Sequence, residues 1–131
     1  MIVLDTHVLL WWIGQPEKLS QKAKHYLEEA SKKSEILISS ISIWEIYLLV
    51  KRNRLQLTMD IDTWLEKVER LPFLRFIPVD NKIAIKSVTL SEPLHSDPAD
   101  RMIIATSLQE NALLITSDKR ILAYPHVQTA W

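Results

Sequence analysis

Two hydrophobic regimes alternate along the chain. One is short, wholly aliphatic runs: Ile2-Val3-Leu4, Ile36-Leu37-Ile38 and Ala112 to Thr116. Runs of this kind read as strands buried on both faces. Phe73 to Val79, bounded by Pro72 and Pro78 near its ends, reads as another strand, and Val127–Ala130 as a final edge strand. The other regime places apolar residues three or four apart, as a helix buried on one face requires. His7 to Ile13 starts such a helix, stopped at Gly14-Gln15-Pro16. Ser20 caps a second, with Ala23, Tyr26, Leu27 and Ala30 on one side. Ser42-Ile43-Trp44-Glu45 has the capping-box pattern and opens a third, closed by Lys51-Arg52. Asp60 caps a fourth through Ile61, Trp64, Leu65 and Val68, and Asn81 to Leu90 forms a fifth. After a loop at Ser91 to His95, Ser96-Asp97-Pro98 starts a helix that Met102 to Leu108 carries onward.

Strands alternating with amphipathic helices imply right-handed βαβ units. The expected architecture is a three-layer α/β/α sandwich with a mainly parallel central sheet, one domain over residues 1–131. There is no cysteine, so neither disulfides nor thiolate metal sites exist, which fits a reducing cytoplasm. No apolar run is long enough to span a bilayer, and the N-terminus lacks the basic region of a signal peptide. Sixteen basic residues balance sixteen acidic ones. That balance argues against a protein that merely coats nucleic acid, because such affinity comes mostly from phosphate neutralisation. It leaves room for an enzyme that visits a phosphodiester briefly.

Chemistry enters through the acids. Asp5 follows the first strand directly, and Asp118 follows strand Ala112–Thr116. In an open parallel sheet the carboxyl ends of the strands share one edge, where ligands bind. Glu45 lies early in the helix after strand Ile36–Ile38, and Asp97 and Asp100 lie in the first turn of the helix feeding the Asp118 strand. Each acid has a plain structural reading. Glu45 can complete a capping box, Asp97 can cap, Asp100 can complement a helix dipole, and Asp5 and Asp118 can cap the turns after their strands. Collected at one edge they acquire another. Two carboxylates about 5 Å apart repel by roughly 3 kcal/mol at an effective dielectric near 20, so a cluster raises pKa values or takes up a cation. With no cysteine and no histidine at metal-ligand spacing, the oxygen donors suit Mg²⁺ or Mn²⁺ rather than zinc.

The segments VLDTH at 3–7, SISIWEI at 40–46, HSDPADRMIIA at 95–105 and LITSD at 114–118 resemble the PIN-domain nucleases, and among them the VapC toxins of toxin–antitoxin pairs. The resemblance covers essentially the whole chain. It implies a metal-dependent endoribonuclease that cleaves single-stranded RNA, with the acidic quartet on Asp5, Glu45, Asp100 and Asp118. Asp5 and Asp100 become the principal ligands of Mg²⁺ or Mn²⁺. Thr6 and Ser117 become hydroxyls that orient carboxylates or a bound water, and Asp97 a cap with an outer role. A homodimer and a bound antitoxin are the implied protein partners.

Other residues carry weaker expectations. Arg101, about 100° around the helix from Asp100, suits a surface or salt-bridge role. Lys51, Arg52, Arg54, Lys119 and Arg120 are either phosphate contacts or solvated helix ends. His95 is placed to bond the backbone of the following turn, and His7 to be a partly buried helix residue. Trp11, Trp12 and Trp44 serve the core or a partner groove. Rival readings fit less well. A haloacid-dehalogenase-type phosphatase needs a second aspartate at position 7, where histidine stands, and a receiver domain needs a lysine in a register that Lys119 does not fill. A non-toxin PIN nuclease and an inactive PIN-like scaffold remain the alternatives within the resemblance.

Overall fold

A computed structural model describes residues 1–131. Five strands, β1 (Ile2–Leu4), β2 (Ile36–Ser39), β3 (Leu74–Ile77), β4 (Leu113–Ile115) and β5 (Thr129–Ala130), form one sheet in the order β3-β2-β1-β4-β5. All pairs are parallel, with Ile2 level with Ile36 on one side and with Leu113 on the other. β1 is therefore central, and every residue in it is buried. That is why it reads as a continuous aliphatic run rather than an alternating one.

Alternation reappears once the two faces are separated. Ile2, Leu4, Ile36 and Ile38 point into one core, Val3, Leu37 and Leu114 into the other. The first core is roofed by α1 (Thr6–Gly14), α2 (Gln21–Lys32), α3 (Ser40–Lys51) and α4 (Ile61–Glu69), through Leu9, Leu27, Ile46 and Trp64. The second is roofed by α5 (Asn81–Thr89), α6 (Pro98–Glu110) and α7 (Lys119–Leu122), through Ile83, Ile103, Ile104 and Ile121. This is the expected three-layer sandwich. A fully buried aliphatic side chain contributes about 1.5–3 kcal/mol, and a one-residue slip of β1 would exchange both faces at once, so register is firmly set.

Several boundaries differ from expectation, each for a local reason. α1 begins one residue early because Asp5 caps it, its Oδ1 accepting from the Thr6 amide at 2.8 Å. The capping box at Ser42 is not formed. Strand β2 runs directly into α3 with Ser39 as the cap, accepting from the Ile41 amide. Glu45 therefore sits in the second turn, and Ser42 is a buried helix residue. β3 and β5 are shorter than the expected Phe73–Val79 and Val127–Ala130, and α7 is a four-residue helix capped by Asp118.

Candidate metal centre

Three helix N-termini meet at the carboxyl edge of the sheet, and four of the five acids belong to them, Glu45 standing in the second turn of α3. Asp5 caps α1, Asp97 caps α6 by accepting from the Asp100 amide at 2.9 Å, and Asp118 caps α7. Asp100 stands in the first turn of α6. The structural readings of these acids are thus correct, and they do not compete with a site. Capping is what brings the acids there, and the positive ends of the helices offset part of their repulsion. Asp5, Glu45, Asp97, Asp100 and Asp118 line one cleft of about 310 Å³, with His7, Trp11, Ser117 and Arg120.

Hydroxyl groups fix two of the carboxylates. Thr116 Oγ1 donates to Asp5 Oδ2 at 2.7 Å and accepts from the Asp118 amide at 3.1 Å. Thr6 Oγ1 donates to Glu45 Oε1 at 2.6 Å and lies 2.9 Å from the Ser42 hydroxyl. Since Thr6 has one hydroxyl proton, Ser42 donates to Thr6 in that pair. Asp100 Oδ2 lies 2.7 Å from His95 Nε2. Ligand atoms of His95, Asp100 and Asp118 lie within 4.8 Å of one another, close enough to share one cation.

The family model for the PIN domain matches residues 2–127. The chain belongs to the PIN-domain family. It is similar to the ribonuclease VapC22 of Mycobacterium tuberculosis, at 31% identity over 99% of this chain and 98% of that one. The crystal structure of VapBC2 from Rickettsia felis bound to a promoter DNA fragment superposes with a TM-score of 0.72. Identity there is 21%, over 99% of this chain and 98% of that one. FitAcB from Neisseria gonorrhoeae gives 0.70 at 21% identity, over 98% and 96% of the two chains. These two structures share the fold of this PIN domain.

Electrostatics divide its acids into two kinds. Burial pushes the Asp5 carboxyl up from its ordinary value, against the pull of the Thr116 and Thr6 bonds, with nearby Asp118 adding to the rise. Burial likewise raises Glu45, with Asp5 and Asp97 contributing. Asp100 is pushed up to about 6, by burial first and then by Asp5 and Asp97, while the His95 bond opposes the rise. Asp118 goes the other way, because the Arg120 guanidinium hydrogen-bonds it. The protein's own groups thus leave Asp5, Glu45 and Asp100 with more negative charge than they stabilise. Hard oxygen donors under that strain suit Mg²⁺ or Mn²⁺.

Of the sequence-predicted residues, Asp5, Glu45, Asp97, Asp100, Asp118 and Ser117 all line the cleft, and Thr6 lies behind Glu45. The hydroxyl that grips Asp5 is that of Thr116 rather than Ser117. Thr116 was foreseeable only from strand pairing: Leu4 is level with Ile115, so the next residues are Asp5 and Thr116. His95 corrects the expectation that no histidine converges on the acids, since its ring turns into the cluster instead of bonding the adjacent backbone. Arg101 does make a salt bridge, to Glu92 at 3.1 Å, but its side chain is largely buried. Its guanidinium donates to the carbonyls of Ser87, Leu94 and His95, tying the end of α5 and the His95 loop to α6. His7 is exposed, Trp64 is core, Trp11 and Trp12 are half-buried against Trp131 and Phe73, and Trp44 is exposed.

Proposed function

We propose that this PIN domain is a metal-dependent endoribonuclease acting on single-stranded RNA, and that it serves as the toxin of a toxin–antitoxin pair. The observation that carries the reading is the convergence of five carboxylates, two of them buried, on one cleft at the carboxyl edge of the sheet. The curated relative at 31% identity is a ribonuclease, which supports the same substrate class.

Asp5, Glu45, Asp100 and Asp118 are the catalytic and metal-holding residues in this reading, with Mg²⁺ or Mn²⁺ as the ion. His95 Nε2–H donates to Asp100 Oδ2, so in this arrangement the ring sets that carboxylate and lends no lone pair to the ion. The bound ion supplies Lewis acidity, activating a water and offsetting the charge that builds on the phosphate. The protein's own groups do the positioning. Thr116 and the Thr6 amide hold both oxygens of Asp5, Thr6 fixes Glu45, and His95 orients Asp100. Asp97 keeps its capping role and an outer one, and Ser117 faces the cleft where a bound water would be oriented. The chain 1–131 acts as one nuclease domain in the cytoplasm. No helix is long and apolar enough to cross a membrane.

The neighbours in fold support an antitoxin as partner, and the resemblance to the VapC toxins implies a second copy of the chain. A cognate antitoxin covers the acidic cleft and inhibits it, and two copies of the chain pair as a homodimer. Half-buried Trp11 and exposed Trp44 offer apolar area near that edge.

Purified protein is expected to cleave single-stranded RNA with Mg²⁺ or Mn²⁺ and to stop with EDTA, and Asp5→Asn to be inactive while still folded. Cleavage that persists in EDTA would remove the metal from the reaction. The toxin half is tested separately: expression alone should arrest growth, Asp5→Asn should not, and the adjacent small gene should rescue. A nuclease that leaves growth untouched keeps the enzyme and refutes the toxin.

A further inference from the structure

The cleft contains one permanently positive side chain, Arg120, against five carboxylates. Its guanidinium is a single fork across two of them. Nη2 lies 3.0 Å from Asp118 Oδ2 and 3.6 Å from Asp100 Oδ2, and Nε lies 3.3 Å from Asp118 Oδ1. We propose that Arg120 is a tethered counter-cation: it occupies the cation position between Asp100 and Asp118 in the metal-free protein, and turns outward to hold an RNA phosphate when a divalent ion arrives. This rests on the metal-dependent reading above.

Geometry supports the first half. Mg²⁺ bonds carboxylate oxygen at about 2.0–2.1 Å. An ion shared by Asp100 Oδ2 and Asp118 Oδ2 would therefore fill the space that Nη2 now spans. Two positive groups so close would also repel, by about 2 kcal/mol even in water-like screening for a divalent ion 4 Å from a unit charge. Arg120 is free to leave. Its side chain is 60% exposed, and its guanidinium hydrogen-bonds no group other than Asp118. Exposed pairs of this kind are weak, at most about 1 kcal/mol, so an ion held by several carboxylates outcompetes it.

Charge supports the second half. One divalent ion offsets two of the five carboxylates, and an RNA strand brings further negative charge into the same cleft. Lys51, Arg52 and Arg54 do not line it, and Arg120 is the lysine or arginine that does. A guanidinium forks onto phosphate oxygens as it does onto carboxylates. The same side chain therefore stabilises the resting cleft and then the loaded one.

The test compares wild type with Arg120→Gln, Arg120→Lys and the charge control Lys119→Gln. Mn²⁺ binding is read by electron paramagnetic resonance of the free ion, and the Arg120 Nε–H resonance is followed by NMR during a Mg²⁺ titration. Arg120→Gln is expected to bind Mn²⁺ three- to tenfold tighter, Lys119→Gln to stay within twofold of wild type, and the Nε–H signal to move as Mg²⁺ binds. At saturating Mn²⁺, Arg120→Gln is expected to raise KM for an RNA oligonucleotide at least threefold with a smaller change in kcat, and Arg120→Lys to recover part of that. Tighter metal with weaker substrate is a pairing that a merely structural arginine does not produce. Unchanged or weaker Mn²⁺ binding in Arg120→Gln, or an unchanged KM, overturns the proposal while leaving the metal reading intact. No Mn²⁺ binding by wild type overturns both.

Discussion

Asp100 is where the tension in the metal-free cleft can be measured. In the unfolded chain its carboxyl ionises near 3.8, and in the folded protein near 6. The folded state therefore binds the extra proton between those values, and stability falls as pH rises from about 4 to 6. At 1.36 kcal/mol for each tenfold step in acidity, the full penalty above pH 6 is roughly 3 kcal/mol, and contact with water at the cleft mouth reduces it to about 1–2 kcal/mol. Asp100→Asn removes the charge, and with it the 3.6 Å pairing to Arg120, but keeps the hydrogen bonds: the amide oxygen still accepts from His95, and the bond to Asp97 uses the Asp100 backbone amide. Metal-free Asp100→Asn should consequently be more stable than wild type at pH 7.5. The gain in Tm is about 4–8 °C, at roughly 4 °C per kcal/mol for a chain of this size. At pH 4.5 the folded protein still holds Asp100 neutral while the unfolded chain is mostly ionised, so the advantage should shrink to about a third of its value at pH 7.5. Thermal unfolding followed by circular dichroism in EDTA at both pH values measures this directly. An Asp100→Asn protein that melts at or below wild type at pH 7.5, or whose advantage is equal at pH 4.5, would refute the picture of an over-charged resting cleft.

Two further substitutions probe what holds the cluster. Thr116→Val keeps the shape but removes the hydroxyl that grips Asp5 and accepts from the Asp118 amide; it should cost about 1–2 kcal/mol of stability and weaken Mn²⁺ binding severalfold. Titration by calorimetry checks the second effect, and unchanged affinity would mean that Asp5 needs no such support. Arg101→Gln strips donors from the carbonyls of Ser87, Leu94 and His95 and should cost about 2–3 kcal/mol, since charged donors to buried acceptors are the stronger hydrogen bonds. A fall in Tm below about 2 °C would show that the His95 loop holds its own shape.

How much of this was readable in the sequence depends on the range of the cause. The central strands were legible because burial on both faces leaves uniform aliphatic runs, as in Ile2–Leu4 and Ile36–Ile38. The start of α6 was legible because Pro98 and the cap Asp97 act within one turn. The start of α3 was misread for an instructive reason. Ser42 and Glu45 have capping-box spacing, yet both turn toward Thr6, a residue of another helix, while Ser39 caps instead. A local pattern was satisfied by a distant partner. His95 and Thr116 were missed on the same ground: a loop conformation pinned by Arg101 sets the first, and the pairing of β1 with β4 sets the second.

The four acids at the helix starts were individually ambiguous between caps and ligands, and the structure dissolves the choice. Asp5, Asp97 and Asp118 cap three helices whose N-termini meet at one edge of the sheet. A cap needs an oxygen at the helix start, and a parallel sheet brings helix starts to its carboxyl edge. Caps that are all aspartate, rather than serine or asparagine, therefore gather negative charge in one place with no further instruction from the sequence. Serine caps do occur in this chain, at Ser20 and Ser39, so capping alone does not demand aspartate. Every cap that lines the cleft, Asp5, Asp97 and Asp118, is aspartate, whereas the caps outside it are mixed, with Ser20 and Ser39 beside Asp60 and Asp80. The choice of aspartate there costs stability at Asp5 and Asp100, and a cost that the fold could have avoided with serine or asparagine is the physical mark of a residue kept for its charge.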